Sequence, residues 1–173
     1  RVSEEQCFFV ASHQAIQPGW QNRLRLCRAL LMDKTFSGAT QDVVIPYSCH
    51  LQGGAAPPIA NRSLLLMGSG KLKRYGMFDQ VRSKLFKSFA NMMRPDVDAR
   101  SNWPYDAYKR GFFTAKFCLV LPGDSMSSQQ SSRAVLSGCV PVYVVNEERD
   151  LFAYSLLEYA QFSVVIHVHE ALR

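Results

Sequence analysis

Apolar and polar positions fall into blocks along this chain, and the blocks are of two kinds. Short, nearly continuous apolar runs recur at Cys7–Ser12, Asp42–Pro46, Ser63–Gly68, Phe117–Leu121, Val140–Val145 and Phe162–Val168. Runs of this length, bounded by Gly, Pro or polar residues, predict buried strands. Between them lie segments with apolar residues three and four apart. Leu24, Cys27, Leu30 and Leu31 give Asn22–Met32 helical spacing, and Phe78, Val81, Leu85 and Phe89 do the same for Met77–Phe89. Tyr105–Ala115, Ser128–Leu136 and Leu151–Tyr159 are the other predicted helices. Gly111 is expected to weaken the first of these three. Tyr47–Ala60, rich in Gly and Pro, predicts a loop, and Met92–Pro104 reads as irregular.

Strands that are apolar throughout belong to a parallel sheet covered on both faces. Their alternation with helices predicts an α/β, Rossmann-like fold with helices on both sides of the sheet. Ligands of such sheets sit beyond the carboxyl ends of the strands. Two glycine-bearing loops fall there, Gly68–Lys71 and Pro122–Ser125. In the second, Gly123 permits a positive φ and a close backbone approach. Ser127 or Ser128 is a natural N-cap for the next helix. The free N–H groups of that helix start, with the hydroxyls of Ser125, Ser127 and Ser128, make a site suited to a diphosphate. A capped turn with no ligand uses the same residues. Gly138 ends the helix as a left-handed cap.

The length of 173 residues suits one domain with a sizeable core, and 47% hydrophobic with 20% charged residues is ordinary for a globular chain. A net charge of +6 favours an anionic ligand. Lysine and arginine are scattered, apart from the cluster at Gly70–Gly76, which argues against nucleic acid. No apolar stretch reaches the ~20 residues of a membrane span. The chain opens mid-element on Arg1, as a fragment of a longer protein would. Five cysteines without C-x-x-C spacing indicate no zinc site. His167 and His169, read as alternating in the last strand, are too few to hold a metal. Asn61-Arg62-Ser63 is an N-glycosylation sequon, meaningful only in the secretory pathway.

The stretch Phe117–Val142 carries a more specific signal. Phe117, Cys118, Leu119, Gly123, Asp124, Ser125, Ser128, Ala134, Gly138, Cys139, Pro141 and Val142 stand in the order and spacing of the exostosin-like glycosyltransferases, which this chain resembles. Shorter matches extend the resemblance: Cys7–His13, Gln41–Tyr47, the block Arg62–Gly70 with Val81–Leu85, and Tyr108 with Lys116–Leu119. The resemblance implies the donor-binding half of a two-Rossmann-domain (GT-B type) enzyme over residues 1–173, with the acceptor-side domain largely upstream. It implies an inverting transfer from a nucleotide-sugar, typically a UDP-sugar, to a glycan or glycoprotein, with no bound catalytic metal. It further implies a Golgi type II membrane protein, and homo- or hetero-oligomers with family members. A Cys118–Cys139 disulfide is compatible with the motif but not deducible from spacing.

By the same resemblance the donor site includes Gly123, Asp124, Ser125, Ser127, Ser128, Arg133 and Gly138, with Arg82 and Lys71 as further candidates. One position departs sharply. The family's acidic residue, expected on ribose or sugar hydroxyls, falls on Arg133, and arginine has donors but no acceptor. Its basic residues fall on Gln129 and Gln130, and its aromatic on Ser132. Two readings follow: an active transferase, or a catalytically weakened member acting as a glycan-binding or partner-stabilising module.

Overall fold

The computed structural model describes residues 8–11, 28–31, 43–44, 51, 56–72, 79–122, 128–148, 151 and 157–173. They form two parallel sheets. The first holds β1 (Phe8–Ala11), β2 (Arg28–Leu31) and β3 (Val43–Val44), each beside its predecessor. Strands were expected at β1 and β3. At β2 the helical expectation is wrong for Arg28–Leu31. A short apolar run satisfies either period, and here four residues of parallel register with Phe8–Ala11 decide for the strand. The rest of Asn22–Met32 lies outside the described residues.

The second sheet has five strands in the order β5-β4-β6-β7-β8, all parallel. These are β4 (Leu64–Ser69), β5 (Val97–Arg100), β6 (Ala115–Val120), β7 (Val140–Val145) and β8 (Val164–His167). Four helices accompany them: α1 (Asp79–Asn91), α2 (Tyr105–Thr114), α3 (Gln129–Leu136) and the short α4 (Val168–Ala171). Strand β5 corrects the irregular reading of Met92–Pro104. It is an edge strand that alternates Val97 and Ala99 with Asp98 and Arg100, so it lacks the continuous apolar run of its neighbours. Charged side chains flank it in two exposed ion pairs, Arg94–Asp96 and Arg100–Asp98.

The sheet is covered on both sides, as predicted. Along β6, Cys118 and Val120 enter one apolar cluster with Phe112 of α2 and Ala134 of α3. Leu119 and Leu121 enter the other, with Leu85 and Phe86 of α1. Chain direction explains the division. The crossover through α1 moves outward from β4 to β5, whereas those through α2 and α3 run the opposite way, so right-handed crossovers place them on opposite faces. Gly111 serves packing: a Cβ there would stand 3.0 Å from the Met67 sulfur on β4. Of the helix expected at Leu151–Tyr159, residues 152–156 lie outside the described residues, and Tyr159–Gln161 forms a 3₁₀ turn. The last strand ends at His167, and His169 sits on α4, so the two histidines do not alternate on a strand. His167 is held through Nδ1 and the Asn146 carbonyl oxygen, 3.1 Å apart.

Two features lock the amino-terminal edge of this sheet. Arg62, 5% exposed, sends its guanidinium into main-chain carbonyls. Nη1 donates to Phe112 O and Ala115 O, at 3.2 and 2.8 Å. Nη2 donates to Ser137 O at 2.7 Å, and Nε to Pro57 O at 3.2 Å. The cation thus caps the carbonyl ends of α2 and α3, where positive charge is favoured. Burial lowers its pKa. Beside it α3 closes in a Schellman turn: Gly138, at φ +64°, donates to Val135 O and Cys139 N donates to Ala134 O.

Cys139 is bonded to Cys118 on the neighbouring strand, with Cα atoms 5.9 Å apart. The bridge closes a loop of sequence separation 21. Loop-closure entropy predicts that Cys118→Ser with Cys139→Ser lowers stability by about 3 kcal/mol, measurable by urea titration of oxidised and mutant protein. A second expectation concerns two tyrosines. Burial raises the Tyr143 phenol pKa, a hydrogen bond with Ser131 acting against it, and burial followed by the charge of Tyr143 raises Tyr159. Folding favours their neutral forms, so their stabilisation is complete below the unfolded value of about 10 and is lost as pH rises beyond it. Tyr159→Phe should make the alkaline fall in melting temperature shallower.

Candidate functional site

The strand order creates a crevice. From β4 the chain crosses outward to β5, and from β6 it crosses the other way to β7. The loops leaving these adjacent strands therefore diverge, and the space beyond their carboxyl ends is the topological switch point of a doubly wound sheet. Both glycine-bearing loops singled out from the sequence leave the sheet here. Residues 123–127, including Gly123, Asp124, Ser125 and Ser127, lie outside the described residues. Their anchors, Pro122 and Ser128, are described.

Ser128 is the N-cap of α3, and its Oγ accepts from Gln130 N at 3.2 Å. The strand-to-helix turn therefore delivers a capped helix start to the switch point, as its serines predict. Arg82 lies on the other side. It is 8% exposed and its guanidinium faces main chain. Nε donates to Pro122 O at 2.8 Å and Nη2 to the same oxygen; Nη1 donates to Lys71 O at 2.8 Å. Asp79, one turn earlier on α1, sits 3.7 Å from Nη1. One side chain thus ties the residue that opens the Gly123 loop to the residue that ends the Gly68–Lys71 loop. The Lys71 side chain is exposed beside this tie. An open concavity of about 410 Å³ adjoins it, lined by Leu72, Asp79, Gln80, Ser83 and Lys84.

A second tie crosses the crevice from α3. Gln130 Nε2 donates to Ser69 O at the end of β4. Its Oε1 is buried and meets no donor among the described residues. Arg133 points elsewhere. Nη1 donates to the Tyr108 hydroxyl at 2.6 Å and Nη2 to Gln129 Oε1 at 3.0 Å, with the guanidinium carbon 5.2 Å from the centre of the Tyr108 ring. These contacts engage it with α2. Gly138 lies at the far end of α3, roughly 15 Å from Ser128 along the helix axis, and its role there is the Schellman turn. Ser128, Arg82 and Lys71 therefore stand at the crevice, Arg133 engages Tyr108 and Gln129, and Gly138 closes the far end of α3. Sequence reasoning missed the two ties. Gln130 was noted only as a departure from a basic residue, and nothing in its local pattern announces a bond to a strand 61 positions earlier.

An all-parallel, doubly wound sheet with a capped helix opening on its switch point defines a Rossmann-like α/β domain. The chain belongs to the exostosin-like glycosyltransferase family, since the exostosin GT47 domain model matches residues 6–173. It is similar to the probable arabinosyltransferase ARAD1 of Arabidopsis thaliana, with 29% identity over 140 residues. That match covers 77% of this chain and 30% of the relative, so the chain spans about a third of that protein's length.

Proposed function

We propose that residues 1–173 provide the donor-binding half of an inverting GT-B type glycosyltransferase, which moves a sugar from a nucleotide-sugar, of the UDP-sugar class, to a glycan or glycoprotein. The observation that carries this reading is the capped start of α3 at the switch point, reached through the Pro122–Ser128 turn. In an inverting transfer the acceptor hydroxyl attacks the anomeric carbon opposite the diphosphate. The bond to the diphosphate breaks, and negative charge grows on the departing phosphate. The backbone N–H groups and serine hydroxyls of this turn are the residues we assign to that charge. Arg82 anchors Pro122, the residue from which this segment departs, through its carbonyl oxygen. The likeness to a probable arabinosyltransferase of Arabidopsis supports a pentose among the candidate sugars. The Cys118–Cys139 bond supports an oxidising, Golgi-lumenal setting. Among the described residues no helix is long and apolar enough to cross a membrane.

Calorimetry on the full-length protein with UDP and a panel of UDP-sugars tests this. Saturable binding, lost in Gly123→Val and accompanied by sugar transfer, is expected. No heat at millimolar nucleotide would sink the proposal. The reading of a weakened, partner-stabilising member is favoured by one observation, the engagement of Arg133 with Tyr108 and Gln129. If it is correct, Arg133→Glu restores an acceptor and tightens UDP-sugar binding by roughly tenfold or more.

A further inference from the structure

The sequon Asn61-Arg62-Ser63 is left unused by the donor site, and the structure gives it an orientation. Ile59–Asn61 form a 3₁₀ turn that leads into β4. Asn61 and Ser63 are exposed, whereas Arg62 between them is buried on the carbonyls of α2 and α3. The tripeptide thus presents its acceptor amide and its hydroxyl outward while its middle residue anchors it. Asn61 stands at the amino-terminal end of β4, and the crevice lies beyond the carboxyl end. A six-residue strand separates the two by roughly 20 Å. A glycan on Asn61 therefore leaves the crevice open. The disulfide of the same domain forms in compartments where sequons are also read. Ile59 and Leu136, 45% and 60% exposed, are apolar residues on this same edge.

We propose that Asn61 carries an N-linked glycan. This rests on the lumenal placement given above. The donor is a polyprenyl-diphosphate-linked oligosaccharide, transferred by the oligosaccharyltransferase of the secretory pathway. Asn61 Nδ2 bonds the anomeric carbon as the bond from that carbon to the diphosphate breaks. The amide nitrogen gives up one proton to the transferase, and the polyprenyl diphosphate leaves with the bonding pair. Transfer precedes folding, because Arg62 must afterwards enter its carbonyl cage. The sugar then hydrates an edge that otherwise shows Ile59 and Leu136 to solvent.

The full-length protein, made in a eukaryotic secretory host, is treated with peptide-N-glycosidase in heavy-oxygen water and mapped by mass spectrometry. A heavy-oxygen aspartate at position 61 is expected. Asn61→Gln and Ser63→Ala should each lose one glycosidase-sensitive step in gel mobility, and Ser63→Thr should keep it. An unmodified Asn61 in protein whose Cys118 and Cys139 are oxidised overturns the glycan and leaves the lumenal reading standing. An unmodified Asn61 with both cysteines reduced overturns both.

Discussion

Arg62→Met is expected to lower the stability of the domain by about 3–5 kcal/mol, the cost of stranding buried polar partners. The methionine fills much of the arginine's volume, so the loss reports the guanidinium. Three carbonyls, of Phe112, Ala115 and Ser137, lose a charged donor in a site that water reaches poorly. No carboxylate among the described residues shares the charge, so the whole contribution comes from hydrogen bonds and helix dipoles. For a chain of this size the melting temperature should fall by roughly 10–15 °C. Arg62→Lys should recover only part, because one ammonium cannot fork between two helix ends. Burial lowers the Arg62 pKa, and the guanidinium stays protonated well above neutrality, so the loss should not vary between pH 6 and 8, about the range of ordinary assays. A fall below about 1 kcal/mol would show that water replaces the guanidinium, and would remove Arg62 from the account of this edge.

Arg82→Ala should act chiefly on the crevice. It frees Pro122 O and Lys71 O, the two points where the crevice loops are tied to α1. We expect a stability loss of about 2–3 kcal/mol and a fall in UDP affinity of at least roughly tenfold, since a loop displaced by an ångström no longer presents its N–H groups to a diphosphate. The two effects are separable. Thermal unfolding gives the first, and calorimetry well below the melting temperature gives the second. A destabilised variant that still bound UDP with unchanged affinity would limit Arg82 to folding. Arg82→Lys should retain one tie and an intermediate affinity.

What could be read from the residues alone divides along physical lines. Strands β4, β6 and β7 announce themselves because both faces are covered, so their sequences are apolar at nearly every position, Ser69 and Lys116 being the exceptions. The edge strand β5 does not, since Val97 and Ala99 face inward while Asp98 and Arg100 meet solvent or each other. Strand β2 is hidden by a coincidence of spacing: Leu24, Cys27, Leu30 and Leu31 fit a helix, and only pairing with β1 overrides it. At the site, the Ser128 cap is legible because capping is local chemistry. The ties made by Arg82, Gln130 and Arg62 are not, because each joins residues brought together by the crossovers. Arg62 stands in the sequence as the middle of a sequon and the start of the block leading into β4, and neither pattern announces its carbonyl cage. Gly138 is legible as the left-handed end of its helix, and its positive φ agrees.

The bond between Cys118 and Cys139 has a topological meaning. It turns the span from β6 through the Gly123 loop and α3 into a cyclic segment. If α3 unfolds locally, the two ends of that ring remain fastened to each other beside neighbouring strands. Excursions are then bounded by a ring of fixed circumference, and the return is a short search with little entropy to recover. The cross-link therefore guards the pairing of β6 with β7 whenever the helix between them is lost.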